Sequence, residues 1–251
     1  MHRTAMQNGN RFFATYGGSM QGATVIDIGS WGTSLRGACP PYAKYVGLDM
    51  VSGEGVDLVI DDPYKLPFAD ASIDAVVSTS CFEHSEMFWL LYLEIMRVLK
   101  PAGLFYMCAP SNGVYHLFPV DCWRFYPDCG SALVRWGRKN GLNNALLESY
   151  TSNQHLRETW NDFVCVFIKD ENCASQHPKR ILDSFADFSN GLKGPQQGKV
   201  ALLNPQKRPQ DHRLYGWKLH KRVQKLGWYL RTGFGLWDPE ARWKEGGWPR
   251  D

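Results

Sequence analysis

The 251-residue sequence predicts an α/β fold built on a mostly parallel, seven-stranded sheet with helices on both faces. Three observations carry that prediction. Short apolar runs rich in β-branched residues alternate with helical patterns between residues 24 and 169. The first run, Val25-Ile26-Asp27-Ile28, enters a turn containing Gly29 and Gly32. Polar residues end the first four runs: Gly29 and Ser30, then Asp49, then Asp61 and Asp62, then Ser80 to His84. Open α/β sheets bind ligands along that edge.

Each element has a local reason. Residues 3–20 place Phe12, Phe13 and Tyr16 ahead of Gly17-Gly18, which fits a short amphipathic helix packed on the sheet or, alternatively, a lid over a bound ligand. After the glycine turn a helix is expected, then the strand Tyr45-Val46-Gly47-Leu48 ending in Asp49, 20 residues beyond Gly29. A carboxylate at that distance can accept both hydroxyls of a ribose. A third strand spans residues 55–62, and a fourth spans 72–78. Phe88, Leu91, Ile95, Val98 and Leu99 recur at helical spacing, and Lys100-Pro101-Ala102-Gly103 stops that helix. The fifth strand is 104–109, a helix covers 128–140, two last strands are 145–150 and 163–169, and residues 160–162 form a turn.

Composition narrows the class. A 44% hydrophobic content with 14% aromatics supplies a core. No apolar run reaches the roughly 18 residues of a membrane span, and the first ten residues lack the apolar stretch of a signal peptide. Seven scattered cysteines fit a reduced, cytoplasmic protein, and Cys122 and Cys129 lack a second pair at zinc-finger spacing, so no metal is expected. Charge is unevenly spread: residues 191–251 hold 13 Lys/Arg against 5 Asp/Glu, and five of the ten tryptophans lie there. The expected organisation is an N-terminal helical segment (1–22), a nucleotide-binding domain (23–170), a linker or irregular stretch (171–210) and a basic aromatic extension (211–251).

These motifs resemble the class I S-adenosylmethionine-dependent methyltransferases, which have a Rossmann-like sheet. Ile-Asp-Ile-Gly at 26–29 looks like their first motif, Gly-Leu-Asp at 47–49 the ribose acid, and Leu-Pro-Phe at 66–68 the loop after the adenine acid. Ile-Asp-Ala-Val-Val-Ser with Glu83-His84 looks like the fourth-strand motif, and residues 97–103 like the turn before strand five. The resemblance implies S-adenosylmethionine as cofactor, held by Asp27, Gly29, Ser30, Gly32, Asp49, Asp61, Asp62 and Ser80. For adenine, the spacing to Leu66 favours Asp62, whereas chemistry favours Asp61 because Pro63 has no N–H to give. Trp31 and Thr33 stand where glycines often fall. A cofactor without a pyrophosphate tolerates that, since one close backbone approach at Gly29 suffices.

A narrower segment, His116-Leu-Phe-Pro-Val-Asp121-Cys-Trp123-Arg124-Phe125, is similar to a pattern in methyltransferases of polysaccharide and sugar-modifying pathways. It implies an O-methyltransferase with a glycan or other small polar acceptor. A sugar hydroxyl needs a base within hydrogen-bond reach, and the candidates are His84, His116 and Asp121. Tyr115, Trp123 and Arg124 are the candidate acceptor-binding residues, with a structural Asp121–Arg124 ion pair and a packing Trp123 as the plainer readings. Glu83 fits either the methionine amine or a helix cap. The basic tail allows an RNA or DNA methyltransferase instead. Alternatively, Leu214, Trp217, Leu219, Val223, Leu226 and Leu230 form an amphipathic stripe suited to packing on the domain or on a second copy in a homodimer. The altered turn also allows a non-catalytic cofactor-binding scaffold.

Overall fold

A computed structural model of the chain describes residues 3–154, 160–195 and 201–206, together with 219, 222, 223 and 226. In chain order the main elements are α1 (Arg3–Tyr16), β1 (Thr24–Ile28), β2 (Lys44–Asp49), β3 (Leu58–Val59), β4 (Ile73–Thr79), α2 (Phe88–Val98), β5 (Leu99–Pro110), α3 (Cys129–Lys139), β6 (Ala145–Ser152), β7 (Asp162–Ile168) and β8 (Phe188–Lys193). The sheet order is β3-β2-β1-β4-β5-β7-β6-β8. β1 to β5 are mutually parallel, whereas β7 runs antiparallel to β5 and β6, and β8 antiparallel to β6.

The period-two alternation of the strands feeds two cores, one on each face. Val25, Val77, Leu104 and Tyr106 face α1, where Phe12 meets the Tyr106 ring at 4.8 Å. Ile26, Ile28, Val76, Phe105 and Met107 face α2 and α3. In α2 the buried residues Leu91, Tyr92, Ile95, Met96 and Val98 form a single stripe. The N-terminal segment is therefore a helix docked on the sheet.

Three expectations are corrected. The sheet has eight strands rather than seven, because β8 joins it from within the stretch 171–210 read as a linker. The helix expected between β1 and β2 is a single 3₁₀ turn at Arg36–Ala38. Gly37 and the Pro40-Pro41 pair cannot sustain an α-helix there. α1 fills that face instead, with Gly9 so close to Leu35 that a Cβ would lie 2.4 Å from Leu35 Cδ2. The third strand shrinks from 55–62 to two exposed residues at the sheet edge. Of the stripe read in the tail, Leu219, Val223 and Leu226 are exposed, and Leu214, Trp217 and Leu230 lie outside the described residues.

All seven cysteines are free thiols. Among the described residues no helix is long and apolar enough to cross a membrane.

Candidate active site

Parallel strands β1 to β4 bring their carboxyl ends to one edge. There Gly29 turns the chain with φ +78°, and Ser30 is fully buried against β2, both amides donating to the Leu48 carbonyl at 2.9 and 3.0 Å. An added Cβ at Gly29 would meet Cys81 Cβ at 2.5 Å, so only glycine fits between the turn and the end of β4. Asp49 accepts the Trp31 amide at 3.1 Å on Oδ2 and the Met50 amide at 2.7 Å on Oδ1. The residue that breaks the glycine pattern thus ties the turn to the acid of β2. Its indole lies against Gly53, where a Cβ would come within 2.4 Å of the ring, and the Gly32 amide donates to Glu54 at 3.2 Å.

Asp27 is placed differently. It is fully buried, its Oδ2 takes the Tyr45 hydroxyl and the Leu35 amide, and its Oδ1 has no hydrogen-bond partner. Burial pushes its carboxyl up to about 7, against the opposing pull of the Tyr45 and Leu35 hydrogen bonds. Asp61 and Asp62 are both exposed at the end of β3, and Asp62 accepts the Tyr64 amide at 2.8 Å in a local turn. Ser80 closes β4 in a left-handed conformation, φ +52°, with its amide on the Cys108 carbonyl.

The second group of candidates converges. His84 leaves β4, His116 and Asp121 sit in the loop after β5, and the two imidazoles meet edge to face at 4.9 Å. The His84 Nδ1 faces the Val120 carbonyl. A carbonyl only accepts, so that nitrogen carries the hydrogen and Nε2 holds the lone pair. The His116 Nδ1 lies 3.2 Å from Asp121 Oδ2 and 3.3 Å from the Val114 carbonyl, which imposes the same tautomer. Burial holds the His84 imidazole below its usual range, with His116 and Arg124 adding to this and Val120 and Asp121 opposing it.

Asp121 is an anchor. Arg124 grips it with two nitrogens, at 2.5 and 2.8 Å, and the His116 amide donates to it at 2.8 Å. Burial alone would raise this carboxyl, but those donors prevail and hold it at about 2. It is therefore ionised at any working pH and too weakly basic to take a hydroxyl proton. Trp123 donates its indole N–H to the Ser85 carbonyl at 2.9 Å and packs on Phe88 and Trp89 at 5.3 and 5.9 Å, a packing role. Tyr115 projects into solvent at 72% exposure.

One residue was missed by the sequence reading, and another was given a different place. Trp160 reaches His116 at 5.1 Å and lies so close over Gly113 that a Cβ there would be 2.0 Å from the indole. Glu83, read only as a cap or an amine contact, is buried at 1% exposure beside His84, with its Oε1 3.8 Å from Nε2 and its Oε2 unpartnered. Burial pushes its carboxyl up to about 8, ahead of the lowering effects of its own backbone amide and Arg124.

Residues 27–107 match the family profile described as a methyltransferase domain. That match spans about a third of the chain. Sequence relatives of this domain include an uncharacterised methyltransferase of Mycolicibacterium gilvum, 32% identical over 103 residues, covering 36% of this chain and 40% of that protein. Another, from Mycobacterium tuberculosis strain H37Rv, is 30% identical over 113 residues, covering 40% and 44%. The chain spans less than half the length of these curated relatives.

In fold, the domain is similar to the Burkholderia thailandensis 1,6-didemethyltoxoflavin-N1-methyltransferase, solved with S-adenosylhomocysteine (TM-score 0.53, 16% identity, 66% of this chain, 79% of that one). It is also similar to the [4+2]-cyclase SpnF (TM-score 0.50, 14% identity, 66% and 81%), so the fold alone does not select a reaction. The Burkholderia enzyme holds S-adenosylhomocysteine, the demethylated form of S-adenosylmethionine, and the residues present at the strand ends of this chain fit that group. Gly29 leaves a Cβ-free approach at the turn, and Asp49 presents a carboxylate held by backbone amides beside it.

Proposed function

We propose that the chain is an S-adenosylmethionine-dependent O-methyltransferase acting on a hydroxyl of a sugar, a glycan or a similar small polar acceptor. The observation that carries this reading is the meeting of His84 and His116 at 4.9 Å, each with its Nδ1 hydrogen committed to an oxygen, beside the cofactor edge of the sheet. Two lone-pair nitrogens set there suit the removal of a hydroxyl proton.

In this reading Gly29, Ser30 and Gly32 shape the floor under the methionine part, and Asp49 takes the ribose hydroxyls. Asp61 takes the adenine amine, because Asp62 is engaged by the Tyr64 amide. Ser80, at the end of β4, borders the sulfonium. Asp27 supports the turn from beneath through Leu35 and Tyr45. The bound cofactor supplies an activated methyl group, and the chain aligns the acceptor oxygen behind it. His116 takes the proton, and Asp121 orients its ring. Tyr115, Arg124 and Trp160 border the acceptor, with the Arg124 guanidinium 5.7 Å from the Trp160 ring.

The test is transfer of tritium from labelled cofactor to cell extract, separated into glycan, small-molecule and nucleic-acid fractions. Label in the glycan or small-molecule fraction is expected. Label confined to nucleic acid would instead support an RNA or DNA methyltransferase using the basic tail. Tight cofactor binding with no labelled fraction would mark a non-catalytic scaffold.

A further inference from the structure

We infer that Glu83, His84 and His116 form a binding site for one divalent transition-metal ion, zinc in the first instance. One ligand-type atom from each of the three side chains lies within 4.8 Å of the others. The inference takes its location beside the acceptor from the reading above but replaces its base, since an imidazole nitrogen that coordinates the ion cannot also take the hydroxyl proton.

Three features point to a cation. The first is the donor set. Val120 fixes the hydrogen of His84 on Nδ1, and Asp121 with Val114 fixes that of His116, so each ring keeps a lone pair on Nε2. The second is Glu83, whose side chain is buried at 2% exposure and whose Oε2 has no hydrogen-bond partner. A buried carboxylate oxygen without a donor is costly, and a coordinated cation removes that cost. Such a group of acceptors is satisfied by a shared proton or by a cation, and the outer arrangement favours the cation.

The third feature is the outer arrangement. A metal-bound histidine characteristically gives its other N–H to a carboxylate or a backbone carbonyl, which fixes the ring and its tautomer. His116 does so through Asp121 and His84 through Val120. Arg124 in turn holds Asp121 by both oxygens.

Two imidazoles and one carboxylate are the ligand set of catalytic zinc sites that keep a position open, and imidazole disfavours magnesium or calcium. Metal–ligand distances of about 2.0–2.2 Å place tetrahedral ligand atoms roughly 3.3–3.6 Å apart. The three side chains therefore draw in by about 1 Å on loading.

The decisive experiment uses the untagged full chain, stripped with chelator and titrated with cobalt(II), followed by competition with zinc(II). One equivalent is expected, with visible d–d absorption bands of low coordination number. Cobalt affinity should fall at least ~100-fold in His84→Ala and in Glu83→Gln, and about 10- to 100-fold in Asp121→Asn. Calorimetry with S-adenosylhomocysteine and far-UV circular dichroism serve as folding controls for each variant. Absence of binding in the folded chain, or binding undiminished in a His84→Ala/His116→Ala double variant, overturns the site.

Methyl transfer assayed with and without chelator keeps the two readings apart. Transfer that is insensitive to chelator but lost in His116→Ala removes the metal and keeps the base. Cobalt bound at these residues with no transfer to any hydroxyl acceptor keeps the metal and removes the acceptor assignment.

Discussion

The Arg124 guanidinium holds both oxygens of the Asp121 carboxylate, three residues before it in the loop that follows β5. The same guanidinium donates to the carbonyls of Trp123 and Val114, so one side chain closes the loop that carries His116. Removing it leaves a carboxylate with 1% side-chain exposure facing only the His116 side. Arg124→Ala should lower kcat by about 10²-fold with cofactor Kd unchanged, and Arg124→Lys should recover only part, since lysine cannot give two parallel N–H bonds. Steady-state kinetics beside calorimetry with S-adenosylhomocysteine checks this. A matched loss of cofactor affinity would place Arg124 in the cofactor site.

Asp49 holds the Trp31 amide, and in the proposed reading it also takes the ribose hydroxyls. Asp49→Ala should weaken S-adenosylhomocysteine binding by at least ~50-fold. Asp49→Asn keeps one acceptor oxygen and should fall between, near ~10-fold, because hydrogen bonds to a charged acceptor exceed those to a neutral one. Calorimetric titration of the three proteins decides it. Equal affinity across the series would remove Asp49 from the binding site.

At Gly29 two costs coincide: a left-handed backbone, φ +78°, and a Cβ placed 2.5 Å from Cys81 Cβ. Gly29→Ala should destabilise the fold by about 2–5 kcal/mol, combining roughly 1–2 for the conformation with roughly 1–3 for overpacking. In a Cys81→Gly background the steric part disappears and only the conformational part remains. Urea unfolding of the four proteins of this cycle measures the coupling directly. A coupling of zero would show that the two strand ends do not touch.

Asp27 sets a pH dependence of stability. Its carboxyl is raised from 3.8 to about 7, so between those values the folded chain binds a proton that the unfolded chain has released. Stability from this group is therefore fully present below about pH 4 and lost as pH rises through about 7. Asp27→Asn keeps an acceptor for Leu35 and Tyr45 and removes the titration. The variant should gain on the parent by up to about 4 kcal/mol between pH 4 and pH 8, at about 1.4 kcal/mol per pKa unit. Thermal melts across that range test it, and parallel curves for the two proteins would contradict it.

What was legible in the sequence was whatever depends on near neighbours. Apolar runs along 25–28, 72–78 and 104–109 marked the strands, and the polar residues that follow the first four strands fall on one edge of the sheet. β8 was hidden because Asn190 and Gly191 interrupt its pattern, and Asn190 takes φ +52°. Its pairing with β6 is purely tertiary. The missing helix after β1 was masked by the strength of the strand–turn–acid pattern, which the Pro40-Pro41 pair should have tempered. Trp160 stayed out of view because its contact with His116 joins the loop after β5 to the start of β7, segments tens of residues apart. Glu83 was singled out, but its burial beside His84 is set by tertiary packing that no local pattern shows.

Glu148 on β6 decides whether α1 is structural or a cover for the site. Its Oε1 takes the Tyr16 hydroxyl at 2.5 Å and the Ile181 amide at 2.8 Å, and its Oε2 takes the Leu182 amide at 3.1 Å. One buried carboxylate thereby binds the last turn of α1 to the segment that leads into β8. Tyr16→Phe removes one of three donors and should cost about 1–3 kcal/mol. Glu148→Ala strands all three donors and should cost about 3–5 kcal/mol. Neither change touches Asp49 or Gly29, so S-adenosylhomocysteine affinity of the folded fraction should stay within about threefold of the parent. Urea unfolding paired with calorimetry separates the two roles. If affinity fell in step with stability in Tyr16→Phe, α1 would have to close over the cofactor, and the docked-helix account would fail.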